Sequence, residues 1–137
     1  MKLWDVGNGV ELPTLDSSDQ GVMAVAFSPD GRHLAVLSVA ERLRIWDLAK
    51  RIVDLDLPVA RLGTTIAHNH TGTRIAAGCI NGTVLLWESR TGYPVLTVNI
   101  DGEPVNSLAF SPDDRRLVIA TGTPGGKGHI RLWDAVP

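Results

Sequence analysis

At 137 residues, with 44% hydrophobic and 20% charged residues and a net charge of −2, the chain has the make-up of a folded globular unit rather than a disordered segment. Its 13 basic and 15 acidic residues are scattered along the whole length, which argues against a phosphate-binding nucleic-acid surface. The single cysteine, Cys79, excludes an internal disulfide framework and a thiolate zinc cluster. The N-terminal residues lack the apolar run of a secretory signal, and no apolar stretch is long enough to span a bilayer. A cytoplasmic location without membrane contact is expected.

In chain order, Met1-Lys2-Leu3-Trp4 reads as the end of a strand, and an outer strand follows near Val10 to Leu15. Val22 to Phe27 is a short apolar run stopped by Ser28-Pro29-Asp30-Gly31, where proline suits the second turn position and glycine tolerates positive φ. Leu34 to Ser38 is a second apolar run. Arg42 to Trp46 alternates polar with apolar residues as a half-buried strand does, and Arg51 to Leu57 alternates again before Pro58. The same four-strand order recurs from Gly63 to Val98, and nowhere is a helical period sustained.

Two landmarks recur in phase. Tryptophans close the tetrads Lys2-Leu3-Trp4-Asp5, Arg44-Ile45-Trp46-Asp47, Leu85-Leu86-Trp87-Glu88 and Arg131-Leu132-Trp133-Asp134, at separations of 42, 41 and 46 residues. Between them stand Phe27-Ser28-Pro29-Asp30-Gly31, a degenerate His68-Asn69-His70-Thr71-Gly72, and Phe110-Ser111-Pro112-Asp113-Asp114, which start 41 and 42 residues apart. Over essentially its whole length the chain resembles the WD-repeat family, whose period is about 40–45 residues with four strands per propeller blade.

The resemblance implies an all-β fold, a partial WD-repeat β-propeller of three blades, as a single domain with repeats at about 16–57, 58–99 and 100–137 and with residues 1–15 ending a preceding blade. It also implies a structural role for Trp4, Trp46, Trp87 and Trp133, one per blade, as rings that bury large areas between neighbouring sheets. Many members hold each blade with a buried His, Ser/Thr, Trp and Asp set. Here the His positions carry Ser18, Val59 and Asp101, the second strands carry Val36, Ala77 and Ile119, and the turns carry Ala40, Asn81 and Lys127. A half-made network leaves buried polar groups unsatisfied, whereas joint replacement by apolar groups is nearly neutral. Val36, Ala77 and Ile119 are therefore expected to be buried and the blades to rest on apolar packing.

Three blades do not close a ring, since propellers use about 4–8. Two completions follow: a head-to-tail pair of chains making six blades, or further blades from a longer chain, of which the opening within a strand favours the second.

Candidate chemistry is sparse. Gly122-Thr123-Pro124-Gly125-Gly126-Lys127-Gly128 lacks the Ser or Thr and the helix of a phosphate loop and reads as a lengthened hairpin, Phe110 to Trp133 spanning 23 residues against 19 in the two earlier repeats. His68 and His70, two residues apart as ligands on one strand face would be, stand at the landmark positions of Phe27 and Pro29 and read as turn variants with no third ligand nearby, the Asn69 and Asn81 sequons read as turns, and Asp113-Asp114 lies in a turn. No catalytic, cofactor or metal site is expected. Propeller mouths, where fourth strands lead to first and second to third, commonly carry recognition, and loops on a rigid scaffold are where binding concentrates. Gln20, Glu41, Arg42, Arg61, Glu103, Lys127 and His129 are the partner-binding candidates. The expected function is a non-enzymatic protein-interaction or scaffolding module. The alternative is a non-catalytic sensing or docking segment of a larger signalling enzyme such as a protein kinase.

Overall fold

The computed structural model describes residues 1–15, 21–100 and 102–134. They form thirteen antiparallel strands in four sheets and, among the described residues, no helix. A two-stranded piece, β1 (Leu3–Trp4) with β2 (Glu11–Leu12), precedes a first blade of β3 (Val22–Phe27), β4 (His33–Ser38), β5 (Arg42–Asp47) and β6 (Ile52–Pro58). The second blade is β7 (Gly63–His68), β8 (Arg74–Cys79), β9 (Thr83–Glu88) and β10 (Pro94–Asn99). The third has β11 (Val105–Phe110), β12 (Arg116–Thr121) and β13 (His129–Asp134), with no fourth strand among the described residues. Within every sheet the strands pair in sequence order, so each blade is a meander closed by short turns.

Alternation along the strands assigns the two faces of each blade. In the first blade the pairs Ala35↔Ile45 and Leu37↔Leu43 face forward, onto Ile66, Ile75, Ala77, Leu85 and Trp87 of the second. Leu34↔Trp46 and Val36 face back onto Met1, Leu3 and Leu15. Trp46 and Trp87 thus pack against the sheet before their own. Val36, Ala77 and Ile119 are 0%, 0% and 1% exposed. The indole N–H of Trp46 is buried and has no hydrogen-bond partner among the described residues, so with apolar Val36 at the second-strand position one polar group of the set is left unsatisfied. Ser18 and Asp101 lie outside the described residues.

Two of the four tryptophans depart from the expected core role. Trp46 and Trp87 are 6% and 5% exposed, but Trp4 is 56% and Trp133 39% exposed. The rule that sets them is positional: Trp4 sits on the first sheet, with no described blade behind it. Trp133 faces the second blade from a sheet that has three strands among the described residues.

Equivalent interfaces exchange bulk. Between blades one and two, Leu37 fills the space over Gly63, whose Cβ would lie 2.6 Å from a Leu37 methyl. Between blades two and three the sizes are reversed, with Gly78 under Val105. One large and one small residue fill each gap to the density of a protein interior.

With the strands of each blade lettered a to d in chain order, the a–b turns are polar locks. Ser28 Oγ donates to Asp30 Oδ1 (2.5 Å) and accepts the His33 N–H, while Asp30 Oδ1 accepts the Arg32 N–H. Ser111, Asp113, Arg115 and Arg116 repeat this pattern in the third blade. In the second, Asn69 replaces the serine, and its buried side chain donates to Thr71 and Thr73 and accepts the Arg74 N–H. That burial rules out Asn69 as a glycan acceptor in the folded chain.

Asp114 adds a clasp between blades. It occupies the turn position that carries Gly31 and Gly72 in the sister repeats and adopts the same left-handed backbone, φ 57° against 68° and 70°. From there its carboxylate crosses to the second blade's turn and accepts the N–H groups of His70 (2.6 Å) and Thr71 (2.9 Å), the Thr71 hydroxyl and the Asn69 amide. Desolvation pushes this carboxyl up, but the Thr71 and His70 donors outweigh it and hold the group below its ordinary 3.8. Asp30 and Asp113 are also held low, chiefly by Ser28 and Ser111, and Asp56 by Arg42. A carboxyl depressed in the folded state contributes stability that is present above its unfolded value and lost as pH falls through the folded one. Melting temperatures measured across pH are therefore expected to fall as the pH drops below 3.8. Asp114→Gly, which keeps the backbone conformation, is expected to flatten that fall.

Candidate functional site

Glu41, Arg42, Arg61, Glu103, Lys127 and His129, six of the seven sequence candidates, fall on the face made by the d–a connections and the b–c turns. That face is stapled by backbone hydrogen bonds that repeat from blade to blade. Val39, Ile80 and Gly122 donate to the carbonyls of Gly21, Leu62 and Pro104, and Val59 and Ile100 donate to Glu41 and Gly82. Each staple joins a b–c turn to the start or end of a first-strand connection, so these loops are part of the rigid frame.

The side chains divide by what they touch. Glu41, Arg61, Lys127 and His129 are exposed. Arg42 is half-buried and tied to Asp56 through Nε (2.7 Å), an ion pair that also takes in Arg44. Glu103 is half-buried and accepts the Thr121 hydroxyl (3.3 Å), which makes it a brace within the third blade more than a free contact. Gln20 lies outside the described residues.

Glu41 stands out by conformation. It has φ 58°, in the left-handed region that disfavours side chains, at the turn position held by Gly82 in the next repeat. At Gly82 the need for glycine is steric as well, because a Cβ would meet the Ile100 carbonyl oxygen at 2.5 Å. Over Glu41 there is room, so a charged side chain stands outward there at the expense of backbone strain. Repeat alignment carries this signal: an acid where the sister repeat has glycine.

Lys127 lies in the connection from β12 to β13, which turns at Thr123–Gly126, and His129 is the first residue of the strand it leads into, as the lengthened-hairpin reading expects. Cys79 is fully buried, and burial pushes its thiol up to about 11. A raised thiol keeps its proton in the folded chain, so folding stability is fully present below the ordinary 9.0 and is lost as pH rises through about 11. Iodoacetamide at about pH 8 is expected to leave Cys79 unmodified in the native chain and to alkylate it in urea, as read by mass.

A family model described as "WD domain, G-beta repeat" matches residues 9–47, 62–88 and 92–134, most of the chain, each match ending with the third strand of a blade. The chain belongs to the WD-repeat family. Its relatives include the WD repeat-containing protein SL1-17 of Schistosoma mansoni, 32% identical over 121 residues, which are 87% of this chain and 40% of that protein. The LST8 homolog of Drosophila melanogaster is 26% identical over 97% of this chain and 42% of its own length. Subunit 5 of transcription initiation factor TFIID of Caenorhabditis elegans is 29% identical over 80% of this chain and 19% of its own. This WD-repeat chain thus spans about two fifths of the length of the first two relatives. WD repeats generally mediate protein–protein interaction.

Proposed function

We propose that this chain is a protein-interaction and scaffolding module that receives a protein partner on the face formed by its d–a connections and b–c turns. The observation that carries the reading is the stapled frame with Glu41, Arg61, Lys127 and His129 directed outward from it. A rigid surface loses little conformational freedom on binding, and opposite charges on it favour a partner of complementary pattern. The mixed charge supports a protein over a nucleic acid. Affinity capture with the wild-type chain, an Arg61→Glu/Lys127→Glu variant and an Arg115→Glu variant tests this. The first variant is expected to lose its partners and the second, altered on the opposite face, to keep them; the reverse pattern would refute the assignment.

We also infer that the ring is completed by additional blades, from a longer chain or from a second copy. Apolar side chains exposed at both ends of the array support this: Trp4, Val6 and Val10 at the start, Ile130 at 77% and Leu132 at 55% at the end. Mass in solution tests it, a stable dimer favouring the second copy and aggregation the longer chain. A well-behaved monomer would count against both.

A further inference from the structure

The face of a–b and c–d turns, opposite the proposed binding face, holds a cleft of about 240 Å³ between the first two blades. Into its first-blade wall project His33 and Asp54, and beside them Asp47. One ligand atom from each of these three residues lies within 4.8 Å of the other two, and His33 Nε2 is 3.4 Å from Asp54 Oδ2. The grouping has a backbone cause. His33 and Asp47 are direct cross-strand partners on the forward face. Plain alternation would turn Asp54 to the backward face, because its neighbour Leu55 pairs with Ile45 on the forward face. The register shift opposite Ile45/Trp46 inserts Asp54 as an extra residue and sets it beside Leu55 in the cleft wall. Bulges re-aim side chains in this way.

Comparison between blades shows that this is not the repeat's default. At the positions of His33 and Asp47 the second blade has Arg74 and Glu88, and the third has Arg116 and Asp134, the latter an ion pair at 2.7 Å. Where the first blade has bulged Asp54, the second has Val95 in its own bulge. The first blade alone exchanges a guanidinium for an imidazole and adds a second carboxylate. Across the cleft stands His68, whose two ring nitrogens are shut off from solvent and have no hydrogen-bond partner among the described residues.

We propose that His33, Asp47 and Asp54 form a binding site for a divalent transition-metal cation of the zinc type. An imidazole with two carboxylates is a donor set that zinc accepts in sites that leave a further position open. Ligand atoms around tetrahedral zinc stand about 3.3–3.5 Å apart, so the His33–Asp54 pair is already spaced for it and Asp47 closes by a side-chain adjustment. The place is already used by a cation: Lys50 Nζ sits 2.9 Å from Asp47 Oδ2 on a mostly exposed stem. A metal ion displaces that ammonium, which returns to water readily. The cluster escapes a sequence scan because its members come from three strands, 14 and 7 residues apart.

Zinc chloride titrated calorimetrically into the whole 137-residue chain, in a non-coordinating buffer, tests the site. One equivalent is expected to bind, with affinity at least about tenfold weaker in His33→Gln and in Asp54→Asn, in line with the loss of a metal ligand. Lys50→Ala is expected to bind zinc several-fold more tightly, because the ion no longer competes with the ammonium on Asp47. His129→Gln, on the opposite face, is expected to bind as the wild type does. Circular dichroism of each variant confirms folding, which the partial exposure of His33 and Asp54 favours. Absence of zinc binding at millimolar concentration, or binding undiminished in both ligand variants, overturns the proposal.

Discussion

Trp87→Ala is expected to lower the unfolding free energy by about 3–5 kcal/mol, while Trp4→Ala shifts it by no more than about 0.5 kcal/mol. The two residues hold the same place in the repeat and differ in what lies behind them. Trp87 is 5% exposed and wedged among Ala35, Leu37, Ile45 and Ile75, so its removal leaves a cavity walled by two sheets that cannot collapse independently. Trp4 is 56% exposed, and its ring contact is with Lys2, whose ammonium stands 6.0 Å from the ring centre. Urea denaturation of both variants, compared at constant m-value, reads the difference. Equal losses would mean that the ring stabilises its own sheet and not the junction between sheets.

Gly78→Leu is expected to destabilise the chain by about 1–3 kcal/mol or more, and adding Val105→Gly to recover much of that loss. A Cβ at Gly78 would lie 2.8 Å from the Val105 Cβ, nearer still to its Cγ1, and 3.0 Å from Thr65, so the third blade must move away. The double variant copies onto this interface the Leu37 and Gly63 arrangement already present one blade earlier. Losses that simply add in the double-mutant cycle would show that the two interfaces are not interchangeable in shape.

Local patterning made much of the fold legible. Trp46 and Trp87, the Ser-Pro-Asp turns and the alternation in Arg42–Trp46 each carry their meaning within a few residues, and the spacing of the landmarks carries the architecture. What escaped depends on partners remote in the chain. Trp4 and Trp133 look identical to the buried pair, because exposure is set by the neighbouring sheet and not by the tetrad. Asp114 reads as an ordinary turn residue, yet its donors are 43 to 45 positions upstream. Asp54 belongs to an alternating strand by pattern, and only the bulge places it with His33 and Asp47. At the candidate face, composition marked Glu103 and Arg42 as free charges, while pairing with Thr121 and Asp56 occupies them. Glu41 was identifiable, and its left-handed backbone is foreshadowed by Gly82 in the sister repeat.

The clasp made by Asp114 gives the array a direction of failure. Repeat proteins behave as chains of units coupled to their nearest neighbours, so each junction has its own strength. The first junction is closed mainly by aliphatic side chains and Trp87, which have no charge to lose. The second adds a carboxylate grip that a proton releases. In acid the array is expected to come apart from its C-terminal end, the third blade's amides exchanging with solvent while those of the first two remain protected. An array welded evenly along its length would melt as one body; this one has a seam.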